Sequence, residues 1–253
     1  MSGHSKWATI KRKKAATDTA RGRLFTRLIR EISVAARNGG GNPEANPRLR
    51  LAIDSAKKAN MPADNIKRAI QKGTGELPGS TYEEITYEGY AAGGVAVMIE
   101  VMTDNSNRAV SEIRHLFSRY NGNLGQTGSV GWMFTRQGTI VVSRSGSNAS
   151  LSEDDLLATI LEAGADDLQT EPDAFTITTS AQAFDEVRKS LEDRGTAVES
   201  AAVQMVPQNM VKVTGKEAEQ VLKLMEALEE HDDVQNVSAN FDIDDSELAS
   251  IAP

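Results

Sequence analysis

The sequence predicts an α+β protein of several domains: an N-terminal helical bundle, then two α+β domains, the third of them ferredoxin-like and inserted in the second. Three observations carry this. Apolar residues recur at helical spacing to about residue 75, the period then drops to two, and from Gly138 the elements follow a βαββαβ order. The expected boundaries are 1–77 for a basic helical domain, 78–137 with 207–253 for an α+β domain, and 138–206 for the insertion.

The first helix spans Arg21 to Arg37, "RGRLFTRLIREISVAAR". At about 100° per residue, Leu24, Phe25, Leu28, Ile29, Ile32, Ala35 and Ala36 share one face. Arg23, Arg27, Arg30 and Arg37 cluster on the other. An apolar stripe must be buried against something, and "NPRLRLAIDSAKKANM" offers Leu49, Ile53 and Ala56 after Pro47 at a helix-starting position. A third helix starts near Pro62, turns Ile66, Ala69 and Ile70 inward, and stops at Gly73. Beyond "GTGELPGS", the segments "TYEEITYEGY" and "GVAVMIEVM" flank the turn-like "AAGG" as a hairpin. "DNSNRAVSEIRHLFSRYNG" opens with capping residues and runs as a helix carrying Val110, Ile113, Leu116 and Phe117; "SVGWMF" reads as a short strand. The unit from Gly138 comprises "GTIVVS", "LSEDDLLATILEAG", two short strands in "DDLQTEPDAFTITT", "AQAFDEVRKSLEDRG" and "AVESAAVQMVP". After Pro207 one helix and one strand remain. They are too little for a separate core, so they return to the domain begun near residue 80.

A composition of 39% hydrophobic and 25% charged residues is that of a folded chain. No apolar run is long enough to cross a membrane, and the charged N-terminus lacks the apolar core of a secretory signal. The absence of cysteine excludes disulfides, thiolate catalysis and Cys-ligated zinc. Charge is unevenly divided. Residues 1–75 hold 17 of the 28 Lys and Arg against 5 acids, a surplus of 12 positive charges; the remainder has 11 against 31, a surplus of 20 negative ones. One part of the molecule attracts a polyanion and the other repels it.

Nothing in the sequence points to catalysis. His4, His115 and His231 are scattered without metal-ligand spacing, and no phosphate-binding G-x-x-x-x-G-K-[ST] loop occurs. Gly39–Gly41 lie between two helices and read as a flexible connection. Adjacent acids such as Asp154/Asp155 and Asp232/Asp233 point apart and read as solvated charge. No catalytic residue, metal, cofactor or small-molecule substrate is therefore expected. The positive signal is the basic end. Lys6, Lys11, Arg12, Lys13 and Lys14 lead into Arg21, Arg23, Arg27 and Arg30, and the third helix adds Lys67, Arg68 and Lys72. Such residues neutralise phosphates and release counterions, which gives affinity without sequence preference. Trp7 either stacks on an exposed base or packs across the bundle. A mitochondrial transit peptide and a membrane-surface helix share this composition, but the bundle already uses Leu24, Phe25, Leu28 and Ile29 as core. Nucleic acid is the expected partner.

Four stretches in order, "GHSKWATIKRKKAATDTARGRLFTRLIREI", "NMPADNIKRAIQKG", "YEGYAAGGVAVMIEVMTDNSNRAVSEIRHLFS" and "GNLGQTGSVGWMF", resemble the YebC/PmpR family, which includes the mitochondrial translational activator of cytochrome c oxidase subunit I. One departure is "KRKK", where the family has a histidine near Arg12; charge is retained. The resemblance implies three domains, a cytoplasmic location and no catalytic activity. It also implies one of two roles: a transcriptional regulator binding double-stranded DNA at promoters, or a factor that acts on rRNA or mRNA at the ribosome and eases synthesis of proline-rich stretches. The helix over 62–72 offers Asn65, Arg68, Gln71 and Lys72 to a groove, but no helix-turn-helix signature frames it. A cationic head on an anionic body suits a ribosomal crevice better than a long duplex.

Overall fold

The computed structural model describes residues 18–244 and residue 247, and the chain divides into two compact units, Met1–Trp132 with Asn209–Pro253 and Met133–Gln208. Mixed helix and antiparallel sheet follow an N-terminal helical region, as the sequence predicts.

The first unit opens with three helices, α1 (Asp18–Gly39), α2 (Pro47–Lys58) and α3 (Ala63–Thr74). Asn46 caps α2 through Leu49 N–H, at 3.1 Å, while its amide donates to the carbonyls of Ala35 and Gly40 at 2.8 and 2.9 Å. One buried side chain thus satisfies the end of α1 and the start of α2 together. Ile32, Ala35, Ala36, Leu49, Ala52, Ala56, Ile66 and Ala69 form the bundle core. Gly73 is not the helix stop that the sequence suggests. A Cβ there would lie 2.3 Å from the Ser33 carbonyl oxygen, so Gly73 is where α3 and α1 touch backbone to backbone. Gly75, at φ 83°, closes α3 instead.

The chain then forms β1 (Glu83–Tyr90), β2 (Ala96–Thr103), α4 (Ser106–Arg119) and β3 (Asn123–Leu124). It returns from the second unit as β8 (Val211–Lys212), α7 (Gly215–Glu230), β9 (Val234–Ala239) and β10 (Phe241–Asp242). Strands order as β3-β1-β2-β9, all antiparallel, with β8 and β10 as a separate parallel pair. Val97, Ile99 and Val101 of β2 join Ile113 and Phe117 of α4 and Val221, Leu224 and Leu228 of α7 in one core.

In the second unit β4 (Phe134–Ser143), α5 (Glu153–Glu162), β5 (Ala165–Thr170), β6 (Ala174–Ser180), α6 (Phe184–Asp193) and β7 (Val198–Pro207) follow in sequence. The antiparallel order β5-β6-β4-β7 is that of a split βαββαβ unit. Ile140, Phe175 and Ile177 of the sheet and Leu156, Phe184 and Leu191 of the helices are all buried. The expected strand "SVGWMF" is corrected: residues 131–133 form a short 3-10 turn and the strand starts only at Phe134.

Candidate nucleic-acid interface

Arg23, Arg27 and Arg30 share one face of α1, as their spacing requires, and that face meets the C-terminal end of α7. A helix ends with carbonyls that lack intrahelical donors and with the negative pole of its dipole. Arg27 donates to the Glu229 carbonyl. The Arg23 guanidinium pairs with Glu230 at 3.1 Å. Arg30 donates to the carbonyls of Asp232 and Met102 at 2.5 and 3.1 Å and to the Asp233 carboxylate at 2.8 Å, and it lies over the Tyr82 ring. Its side chain is 13% exposed and that of Asp233 only 3%.

Asp233 also accepts from Arg108 at 2.7 Å and from the Thr103 hydroxyl at 2.8 Å. Burial pushes its pKa up, but these hydrogen bonds and the two guanidinium charges outweigh it and hold the carboxyl below its ordinary value. Burial lowers the pKa of Arg27, which Glu229 offsets only in part. The α1 stripe is therefore not the open cationic face expected from the helical wheel. It is a set of internal caps and ion pairs. The expectation that Asp232/Asp233 are mere solvated charge is corrected likewise, since Asp233 is buried. Arg37 and Arg48 are taken up too: Arg37 donates to the Tyr82 carbonyl, and Arg48 grips Glu31 and Glu84 at 2.7 and 2.6 Å.

The remaining cations lie on α3 and the end of α2. Ile66 and Ala69 are buried, which turns Lys67, Arg68 and Lys72 outward, and all three are exposed. Lys57 and Lys58 sit in the last turn of α2, beside the turn at Asn60, whose φ is 59°. None of these five has an ion-pair partner among the described residues. Arg21 is exposed at the start of α1. Lys6, Trp7, Lys11, Arg12, Lys13 and Lys14 lie outside the described residues, as does His4. Sequence reasoning passed over Lys57 and Lys58; their place in a helical last turn next to the α3 start was the available signal.

Among the described residues no group of three or more His, Asp or Glu side chains is disposed to hold a metal ion. His231 pairs through Nε2 with Glu112 at 2.9 Å and accepts the Asp233 N–H on Nδ1 at 3.2 Å, a structural arrangement. His115 is exposed on α4. No described helix is long and apolar enough to cross a membrane.

A second feature was missed in the sequence. Glu88 of β1 is buried, and its carboxylate accepts three backbone N–H groups, from Gly128 at 2.8 Å and from Val130 and Gly131 at 2.7 Å. Burial raises its pKa, but the three amides outweigh that and leave it below the ordinary value. The loop wrapped on Glu88 ends in Trp132, 67% exposed.

The chain matches two family models: "TACO1/YebC protein N-terminal domain" over residues 5–76 and "TACO1/YebC second and third domain" over residues 82–241. A probable transcriptional regulatory protein of Pelotomaculum thermopropionicum is 59% identical, over 97% of this chain and all of that one. A probable transcriptional regulatory protein of Geobacter sulfurreducens is 55% identical, over 99% of this chain and all of its own length. The crystal structure of a conserved hypothetical protein from Aquifex aeolicus superposes with a TM-score of 0.83 at 50% identity, covering 92% of this chain and 94% of that one.

Proposed function

The chain belongs to the TACO1/YebC family, and from that premise we propose that it is a non-enzymatic regulator of gene expression that binds RNA at the ribosome and assists translation, proline-rich stretches included. The observation that carries this reading is the set of cations Lys57, Lys58, Lys67, Arg68 and Lys72, without ion-pair partners among the described residues. They lie in a region with 12 surplus positive charges, beside a remainder with 20 surplus negative ones. Phosphates on one wall of a crevice and basic protein on the other complement that sign pattern. The basic segment with Lys6, Trp7, Lys11, Arg12, Lys13 and Lys14 extends the same interface. The reading includes a cytoplasmic location and needs no metal, cofactor or small-molecule substrate.

A second reading, a DNA-binding regulator at promoters, is favoured by the names of the relatives. Sedimentation of cell lysate, alongside binding to promoter and scrambled duplexes at near-physiological salt, separates the two. Co-migration with ribosomal subunits and weak promoter preference are expected. Exclusion from ribosomal fractions, with a preference of roughly 1,000-fold for one promoter, would establish the second reading instead.

A further inference from the structure

We infer that Trp132 is a stacking platform for an unpaired RNA base, a contact separate from the cationic face of α3. The inference rests on the RNA-binding reading above and adds a residue and a mode of binding to it.

The indole is held rather than loose. Its Nε1–H donates to the Ser129 carbonyl at 3.2 Å, and the Tyr90 hydroxyl donates to the same oxygen at 3.0 Å. Glu88 fixes the backbone on both sides of Ser129 through Gly128, Val130 and Gly131. With its one polar group satisfied inside the loop, the ring offers apolar aromatic surface to solvent, and it is the most exposed large apolar side chain among the described residues. A π-face presented without reorganisation suits any nucleobase, because every base has a complementary one.

Charge singles out the same place. The chain beyond residue 75 carries 31 acids, yet it runs from Glu112 to Glu153 without one. From Asn121 to Trp132 it has no charged residue at all. The carboxylate enclosed by the loop, Glu88, is buried and its charge is spent on backbone amides. Exposed Asn121, Asn123, Gln126 and Thr127 provide neutral donors and acceptors in the same stretch. In an acidic body, a stretch with a fixed aromatic ring, neutral amides and no exposed carboxylate is where a phosphate-linked strand meets least repulsion.

The test uses the full chain in a Trp7→Phe background, which leaves Trp132 as the remaining one of two tryptophans. The probes are a single-stranded oligouridine and an RNA duplex of equal length closed at both ends by stable tetraloops. The single strand should quench Trp132 emission. Trp132→Ala should weaken single-strand binding by roughly 5- to 150-fold, the range of one base–aromatic stack, with the salt slope and thermal midpoint unchanged. Trp132→Phe should recover most of the loss, and affinity for the closed duplex should stay within about two-fold, since bases stacked inside a helix offer no free face. Unchanged single-strand affinity in Trp132→Ala, with RNA still bound through α3, overturns this inference and leaves the proposed function standing. Unchanged RNA affinity with abolished ribosome co-sedimentation would mean that the indole docks on protein, and also overturns it. Failure of the unsubstituted protein, with Trp7 in place, to bind any RNA removes both.

Discussion

Two helices of one bundle carry cationic stripes and use them in opposite ways. On α1, Arg23, Arg27 and Arg30 are spent on the end of α7 and on Asp233. On α3, Lys67, Arg68 and Lys72 point outward with no described acid paired to them. A charged stripe tells which side of a helix is not its own core. Whether that side is surface depends on what the rest of the chain lays against it. The α1 stripe is a joint, and the α3 stripe is a face. Substitutions in the first should therefore cost stability, and substitutions in the second should cost binding.

The largest expected effect is at the joint. Asp233→Ala leaves Arg30, Arg108 and Thr103 without their shared acceptor. Breaking a buried ion pair on one side costs about 3–5 kcal/mol, which chemical denaturation should report as a lower midpoint. A loss below about 1 kcal/mol would show that the joint is solvated and the contrast with α3 is false.

Acid should act on the same bond. The pKa of Asp233 is lower folded than unfolded, so the unfolded chain binds its proton first as pH falls. The stability it contributes is complete above the ordinary aspartate pKa of about 4 and is lost as pH drops through the depressed folded value. Asp233→Asn should flatten that part of the stability–pH curve. An identical acid limb in the variant would assign the acid sensitivity to other carboxylates.

Glu88→Gln sharpens the comparison, because the partners of Glu88 are neutral amides rather than guanidinium groups. One amide oxygen cannot replace two carboxylate oxygens serving three donors. A loss of about 2 kcal/mol is expected, within the range for hydrogen bonds to a charged group, with faster hydrogen exchange at Val130 and Gly131. Unchanged exchange there would show that the loop holds its shape without the carboxylate.

At the face, changing Lys67, Arg68 and Lys72 together to Glu should lower RNA affinity about ten-fold at moderate salt, with a salt slope shallower by about 0.7–0.9 for each phosphate left without its cation. Stability should stay within roughly 0.5 kcal/mol per site, as for surface positions without special partners. Full binding by this variant would break the division between joint and face. The smallest effect is expected at Arg23→Ala, about 0.2–1 kcal/mol, because its pair with Glu230 is partly exposed.

Local patterns in the chain were enough for the helices, most strands and the βαββαβ order. Ile32, Ala35 and Ala36 on α1, or Ile66 and Ala69 on α3, reveal their buried side through spacing alone, because a helix repeats over a few residues. The outward half of the candidate interface, Lys67, Arg68 and Lys72, follows from the same period. What lay beyond the sequence involves partners far apart in it. Asp233 is 203 positions from Arg30, and Glu88 is 40 or more from the amides it binds. Gly73 looks like a helix stop until the Ser33 carbonyl is placed against it. "SVGWMF" has the composition of a strand, yet a buried carboxylate wraps its first residues into a loop. Spacing along the chain orients each element by its own apolar side. Which charges meet, and which are left to a ligand, was decided only when the elements packed.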